Sequence, residues 1–149
     1  MKPYRPRPLP TEPPYVIAHR GISAKTPENT LASFKRAAAS PGIDMIELDV
    51  RLSKEEEVVV LHDRTLQRTS TGNGPVRNYS LKEIRSFDAG SWFHPAFIAE
   101  RIPTLREVFQ QVGDQLWVDI EIKSDWLHRE RPGVLEERVL EVVQSCGMD

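Results

Sequence analysis

Residues 44–52 carry the strongest constraint on the fold. In an extended segment Met45, Glu47, Asp49 and Arg51 fall on one side, and Ile46, Leu48, Val50 and Leu52 on the other, because successive strand side chains alternate. The second set is wholly apolar and is expected to meet a layer of helices. The first set then faces the interior or mouth of a barrel. Two acids side by side on such a face need a chemical reason to be there.

The flanking segments read as a helix-covered sheet. Residues 15–18 form a short apolar run that delivers His19 and Arg20 at its end. Thr26 with Pro27 has the form of a cap and first turn, followed by Leu31, Phe34 and Ala38 at helical spacing, and Pro41-Gly42 stops the helix. Residues 58–61 form another strand, ending in His62-Asp63. Ser80 with Glu83 and Thr104 with Glu107 have capping-box spacing, which predicts a short helix over 81–86 and a longer one over 105–112. Between them, 89–101 reads as an ordered loop carrying Trp92, Phe93 and Phe97, either lining a pocket or packing on itself. Residues 116–122 are the fourth strand and 134–144 an amphipathic helix.

Buried strands separated by helices argue for a parallel sheet. The link between 51 and 58 is too short for an ordinary parallel crossover, so that pair is either joined by a very tight excursion or antiparallel. The 54–57 run, Lys-Glu-Glu-Glu, reads as a solvated turn.

With 20 basic and 22 acidic side chains and a net charge of −2, the chain has no broad basic field for nucleic acid. A small anion needs only a local positive spot. The single Cys146 rules out an intrachain disulfide framework and a four-cysteine zinc site. No apolar run approaches the roughly 20 residues that span a bilayer, and no apolar stretch follows Lys2, Arg5 and Arg7 as in a signal peptide. A cytoplasmic location is the default expectation. Pro3, Pro6, Pro8, Pro10, Pro13 and Pro14 make residues 1–14 an extended lead-in, with the domain over 15–149.

Seven short stretches carry the chemistry: His19-Arg20-Gly21, Pro27-Glu28-Asn29-Thr30, Ile46-Glu47-Leu48-Asp49-Val50, Val60-Leu61-His62-Asp63, Arg68-Thr69-Ser70-Thr71-Gly72, Ile102-Pro103-Thr104-Leu105 and Ile120-Glu121-Ile122-Lys123. In this order they resemble the N-terminal part of the glycerophosphodiester phosphodiesterase family, which has a TIM-barrel fold. The resemblance implies an α/β chain of (β/α)8 type and metal-dependent hydrolysis of glycerophosphodiesters to glycerol 3-phosphate and an alcohol. It also implies that Glu47, Asp49 and Glu121 ligate one divalent cation, magnesium or calcium. His19 and His62 then match the acid-base pair, and Arg20 and Lys123 the groups that hold the phosphate.

The residue types suit those roles. Three carboxylates form a hard, oxygen-rich site that favours magnesium or calcium over zinc, and they would repel one another without a cation. A histidine titrates at about pH 6.5, so one imidazole can take a proton while the other gives one; which does which stays open. Arg20 offers a planar fork to phosphate and Lys123 a point charge. Asn29, Asp63 and Asp119 are candidate neighbours of these groups: Asn29 reaches a ligand or merely starts a helix, Asp63 braces His62 or a neighbouring loop rather than binding metal, and Asp119, on the face of Glu121, supports a ligand or is a buried salt-bridge member. His94 and His128 read as surface residues.

A (β/α)8 barrel takes about 250 residues, so 149 residues with four strands are expected to be its N-terminal half. Four strands cannot close, which leaves a homodimer completing a pseudo-barrel, a rearranged small α/β domain or a poorly stable fragment, with the homodimer expected if the chain is soluble. The expected partner is otherwise a small glycerophosphodiester, with no nucleic acid and no transmembrane segment. The alternatives are a related phospholipase acting on phosphoinositides or sphingolipids, and a non-catalytic metal- and phosphate-binding fragment.

Overall fold

A computed structural model describes residues 8–9, 11–125 and 131–148. Within them lie four strands, β1 (Ile17–His19), β2 (Met45–Leu52), β3 (Val58–Val60) and β4 (Trp117–Ile122). The helices are α1 (Leu31–Ala38), α2 (Leu81–Ile84), α3 (Leu105–Val112) and α4 (Val134–Ser145), with short 3-10 turns at Val76–Asn78 and Pro95–Phe97. His128 falls outside the described residues.

The alternating strand is the centre of the sheet. Strand β2 runs parallel to β1, with His19 opposite Glu47, and parallel to β4, with Glu47 opposite Asp119 and Asp49 opposite Glu121. Val50 pairs with both Val60 and Ile122, so β3 lies on the same edge of β2 as β1, beyond its end. Strand β3 is antiparallel to β2. A link of five residues is enough for a hairpin, which Ser53 and Glu57 close through a backbone hydrogen bond of 2.9 Å, with Glu56 in the left-handed region at φ 64°. The sheet is therefore three parallel strands plus a hairpin arm. It is open, as expected for part of a barrel.

One face of β2 is fully used by the core. Ile46, Leu48, Val50 and Leu52 bury against Phe34 and Ala37 of α1, Leu105, Val108, Phe109 and Val112 of α3, and Val134, Leu135, Val139 and Val142 of α4. The excursion between β3 and α3 has its own smaller core, built from Val59, Leu61, Leu66, Val76, Ile84, Ala89 and Ile102. Trp92, Phe93 and Phe97 stack edge to face on one another in this excursion. Both predicted capping boxes are present at Ser80/Glu83 and Thr104/Glu107. No helix among the described residues is long and apolar enough to cross a membrane.

The start of α1 differs from expectation. Its cap is Thr30, whose hydroxyl accepts from Ser33 N, and not Thr26, whose hydroxyl donates to Ile22 O. Asn29 is the reason: its backbone is left-handed at φ 57°, which no helix beginning at Pro27 permits. That conformation lets the Asn29 side chain reach Asp49 on β2.

The turn after β1 is equally constrained. Arg20 and Gly21 are consecutive left-handed residues, at φ 55° and 79°. A Cβ on Gly21 would stand 2.2 Å from Ser33 Oγ and 2.8 Å from the Ser33 carbonyl carbon. Gly21→Ala is therefore expected to destabilise the chain by about 2–4 kcal/mol, combining left-handed strain with overpacking. Denaturant midpoints of the two proteins check this; an unchanged midpoint would mean that the turn relaxes freely.

Candidate active site at the strand ends

The alternation of β2 puts Glu47 and Asp49 on the face away from the helices, and β4 adds Glu121 directly opposite Asp49. Oxygen atoms of Glu47, Asp49 and Glu121 lie within 4.8 Å of one another. Asp49 is wholly buried. Its Oδ2 accepts from Asn29 Nδ2 at 2.9 Å and lies 3.2 Å from Arg20 Nε, while its Oδ1 lies 3.4 Å from Lys123 Nζ. The two charged contacts to Asp49 are close but poorly aligned, which leaves Arg20 Nε and Asp49 Oδ1 buried without a hydrogen bond among the described residues. Glu47 Oε1 is in the same position. Buried oxygens without donors are costly, and a cation satisfies them. The donor set therefore fits a hard divalent metal.

The positive groups surround these acids. Arg20 donates its backbone N–H to Glu47 Oε2 at 2.9 Å and its Nη1 to Glu28 Oε1 at 3.0 Å. Its carbonyl accepts from Ser33 Oγ and from Asn29 N, so the backbone of the turn is held from three sides. Lys123, one residue past β4, donates to Glu121 Oε1 at 2.5 Å. Arg51, inward-facing on β2, donates from Nε to His62 O and from Nη1 to Lys123 O. It ties the ends of β3 and β4 to the central strand.

The two imidazoles come from β1 and β3: His19 ends β1, and His62 lies two residues past β3. His19 is 65% exposed, with Nε2 3.7 Å from Glu47 Oε2. His62 has Nδ1 2.7 Å from Asp63 Oδ1. Asp63 in turn meets Arg68, which also meets Glu28. Asp119 is exposed, opposite Glu47 in register. His94 is exposed, and its Nδ1 caps Ala96 N.

The charges set the protonation of the acids. Burial pushes the Glu47 carboxyl up, and neighbouring Asp49 adds to that, against the Arg20 amide that favours the ionised form. For Glu28 burial works upward too, but the hydrogen bonds and charges of Arg68 and Arg20 outweigh it and hold the carboxyl down. The Arg68 hydrogen bond is the main reason that Asp63 lies well below the ordinary carboxylate range. The Lys123 hydrogen bond lowers Glu121, and Glu121 raises Lys123.

Of the seven residues expected at the site, Glu47, Asp49 and Glu121 lie on one face of the neighbouring strands β2 and β4, and His19, Arg20, His62 and Lys123 lie at or just past the ends of β1, β3 and β4. Three further groups, two of them inside the quoted stretches, were given no site role from sequence. Glu28, which could pass for a first-turn helix residue, pairs with Arg20. Arg51 reads as part of the alternation, and Arg68 as a polar loop residue. Their partners lie 8, 11 and 40 residues away for Arg20, His62 O and Glu28, beyond the reach of local pattern.

An open, mainly parallel sheet with helices on one face is part of a (β/α)-barrel, and its other face carries three carboxylates close enough together to hold a metal ion, with an arginine and a lysine beside them. Comparison with known proteins agrees. The chain belongs to the glycerophosphoryl diester phosphodiesterase family, whose model matches residues 19–147. It is 49% identical over 135 residues to a glycerophosphodiester phosphodiesterase of Caldanaerobacter subterraneus subsp. tengcongensis, covering 90% of this chain and 54% of that protein. A crystal structure of glycerophosphodiester phosphodiesterase from Agrobacterium tumefaciens superposes with a TM-score of 0.79 at 35% identity, covering 90% of this chain and 54% of that one. An Oleispira antarctica phosphodiesterase, in complex with the product sn-glycerol-3-phosphate, gives 0.81 at 36% identity over 88% of this chain and 52% of that one. The chain spans about half the length of the curated relatives it matches.

Proposed function

We propose that the site hydrolyses glycerophosphodiesters to sn-glycerol 3-phosphate and an alcohol. The observation that carries this reading is the cluster of three carboxylates on one face of β2 and β4 with two cationic side chains against it, and two imidazoles at or just past the ends of β1 and β3. The family membership and the product held by the Oleispira antarctica relative support the substrate class.

Glu47, Asp49 and Glu121 would hold one magnesium or calcium ion. Such an ion, when bound, polarises a phosphoryl oxygen and lowers the pKa of a hydroxyl nucleophile. Arg20 and Lys123 now neutralise Asp49, Glu28 and Glu121. With Asp49 and Glu121 engaged as ligands and Glu28 still holding Arg20 Nη1, the same guanidinium and ammonium have N–H donors to turn to the phosphate, Arg20 as a fork and Lys123 as a point charge. His19 and His62 are the acid-base pair. Asn29 orients Asp49 through its amide, and Asp63 braces His62.

The test is release of glycerol 3-phosphate from glycerophosphocholine and glycerophosphoethanolamine with magnesium or calcium. Release that stops on adding chelator is the expected result. Folded chain that releases none with either metal overturns the reading for these 149 residues.

A further inference from the structure

Arg68 is the most fully engaged side chain near the site that the proposed chemistry does not use. Its Nε and Nη2 edge grips both oxygens of Asp63, at 2.7 Å to Oδ2 and 3.0 Å to Oδ1. Its other edge grips both oxygens of Glu28, Nη1 to Oε2 at 3.0 Å and Nη2 to Oε1 at 2.8 Å. Two fork-to-fork pairs thus share one guanidinium. Only the flat, five-donor geometry of arginine allows this.

What lies at each end is the point. Asp63 Oδ1 meets His62 Nδ1 at 2.7 Å, and Glu28 Oε1 meets Arg20 Nη1 at 3.0 Å. An unbroken line of contacts therefore runs His62, Asp63, Arg68, Glu28, Arg20, Asp49. It joins the loop after β3 to the turn after β1. The Arg68 side chain is 43% exposed, and ion pairs that open to water contribute little to stability. Orientation is what this arrangement supplies.

We propose that Arg68 is a positioning residue that locks the imidazole tautomer of His62 through Asp63 and the guanidinium plane of Arg20 through Glu28. Asp63, gripped on both oxygens, stays ionised and can only accept, so the His62 proton sits on Nδ1. Nε2 is then the nitrogen left to exchange protons with substrate. On the other arm, Glu28 is fixed by Arg68 and leaves Arg20 one orientation toward Asp49 and the phosphate position. The inference rests on the reading of His62 and Arg20 as site residues.

Nitrogen-15 NMR of the imidazoles tests the lock without needing turnover. At about pH 8.5, two units above the ordinary histidine pKa of about 6.5, His62 in the parent chain is expected to show the Nδ1–H tautomer alone, its signal assigned by loss in His62→Asn. Arg68→Ala is expected to give a mixture of tautomers with little change in melting temperature, and Asp63→Asn a larger change in the same direction. Arg68→Lys, which keeps the charge and loses the double fork, is expected to fall between and serves if the alanine variant folds poorly. In turnover, Arg68→Ala is expected to lower kcat about 10-fold, the low end of what outer hydrogen-bond partners contribute, with KM moving less. A His62 tautomer unchanged in folded Arg68→Ala or Arg68→Lys overturns the proposal. Shifted tautomers in a chain that hydrolyses no glycerophosphodiester uphold the lock and count only against the proposed activity.

Discussion

His62→Ala is expected to lower kcat for glycerophosphodiester hydrolysis by about 100- to 10,000-fold, the usual contribution of a placed acid or base, and His19→Ala by a similar factor. The two differ in surroundings. His62 is braced at Nδ1 by an ionised carboxylate, which favours one ring orientation. His19 is largely exposed, with Nε2 3.7 Å from Glu47 Oε2, so its ring has room to follow the substrate. If one takes a proton as the other gives one, the double variant should be little slower than the slower single variant, because groups acting in one step do not add. The pH dependence of kcat/KM should be bell-shaped in the parent and lose one limb in each variant. Steady-state rates across pH in the parent, both singles and the double decide the matter. A single variant with parental kcat removes that histidine from the chemistry.

The legible parts of this chain are those with a local period. The two-residue alternation of β2 displays its buried face and its acidic face at once, and both are found as read. The capping boxes are legible because cap and partner lie three residues apart. The start of α1 is not. Thr26 and Thr30 are equally good caps by type, and the choice between them is made by a contact from Asn29 to Asp49 across 20 residues. The direction of β3 is half legible: the short link limits the options to two, and the Ser53 turn selects the hairpin. Within the site, residues at strand ends could be found because the strands could be found. Arg68 lies in a polar loop with no period, and its role depends on Glu28, 40 positions earlier. Only the three-dimensional path of the loop brings them together.

Without divalent cation, the two β2 carboxylates are expected to affect stability in opposite directions. Asp49→Asn removes the charge that Arg20 and Lys123 share at a fully buried position, and is expected to cost about 2–4 kcal/mol. The lower part of the range for a broken buried pair applies because Arg20 keeps Glu28 and Lys123 keeps Glu121. Glu47 behaves otherwise. Its pKa is raised on folding, chiefly by burial, so its ionised form opposes folding at neutral pH, and that cost fades as pH falls through the raised value. Glu47→Gln keeps an oxygen for the Arg20 N–H and removes the buried charge, so in chelator at pH 7 it should melt no lower than the parent. The advantage should vanish in acid. Cation reverses the order. At about 100 times its dissociation constant a ligand adds about 2.7 kcal/mol, or about 5–10 °C for a chain of this size, to the parent alone. Both variants should lose most of that gain. Melting curves of the three proteins in chelator, magnesium and calcium check the sign and the size together. A Glu47→Gln chain that keeps the parent's full cation response would remove Glu47 from the ligand set.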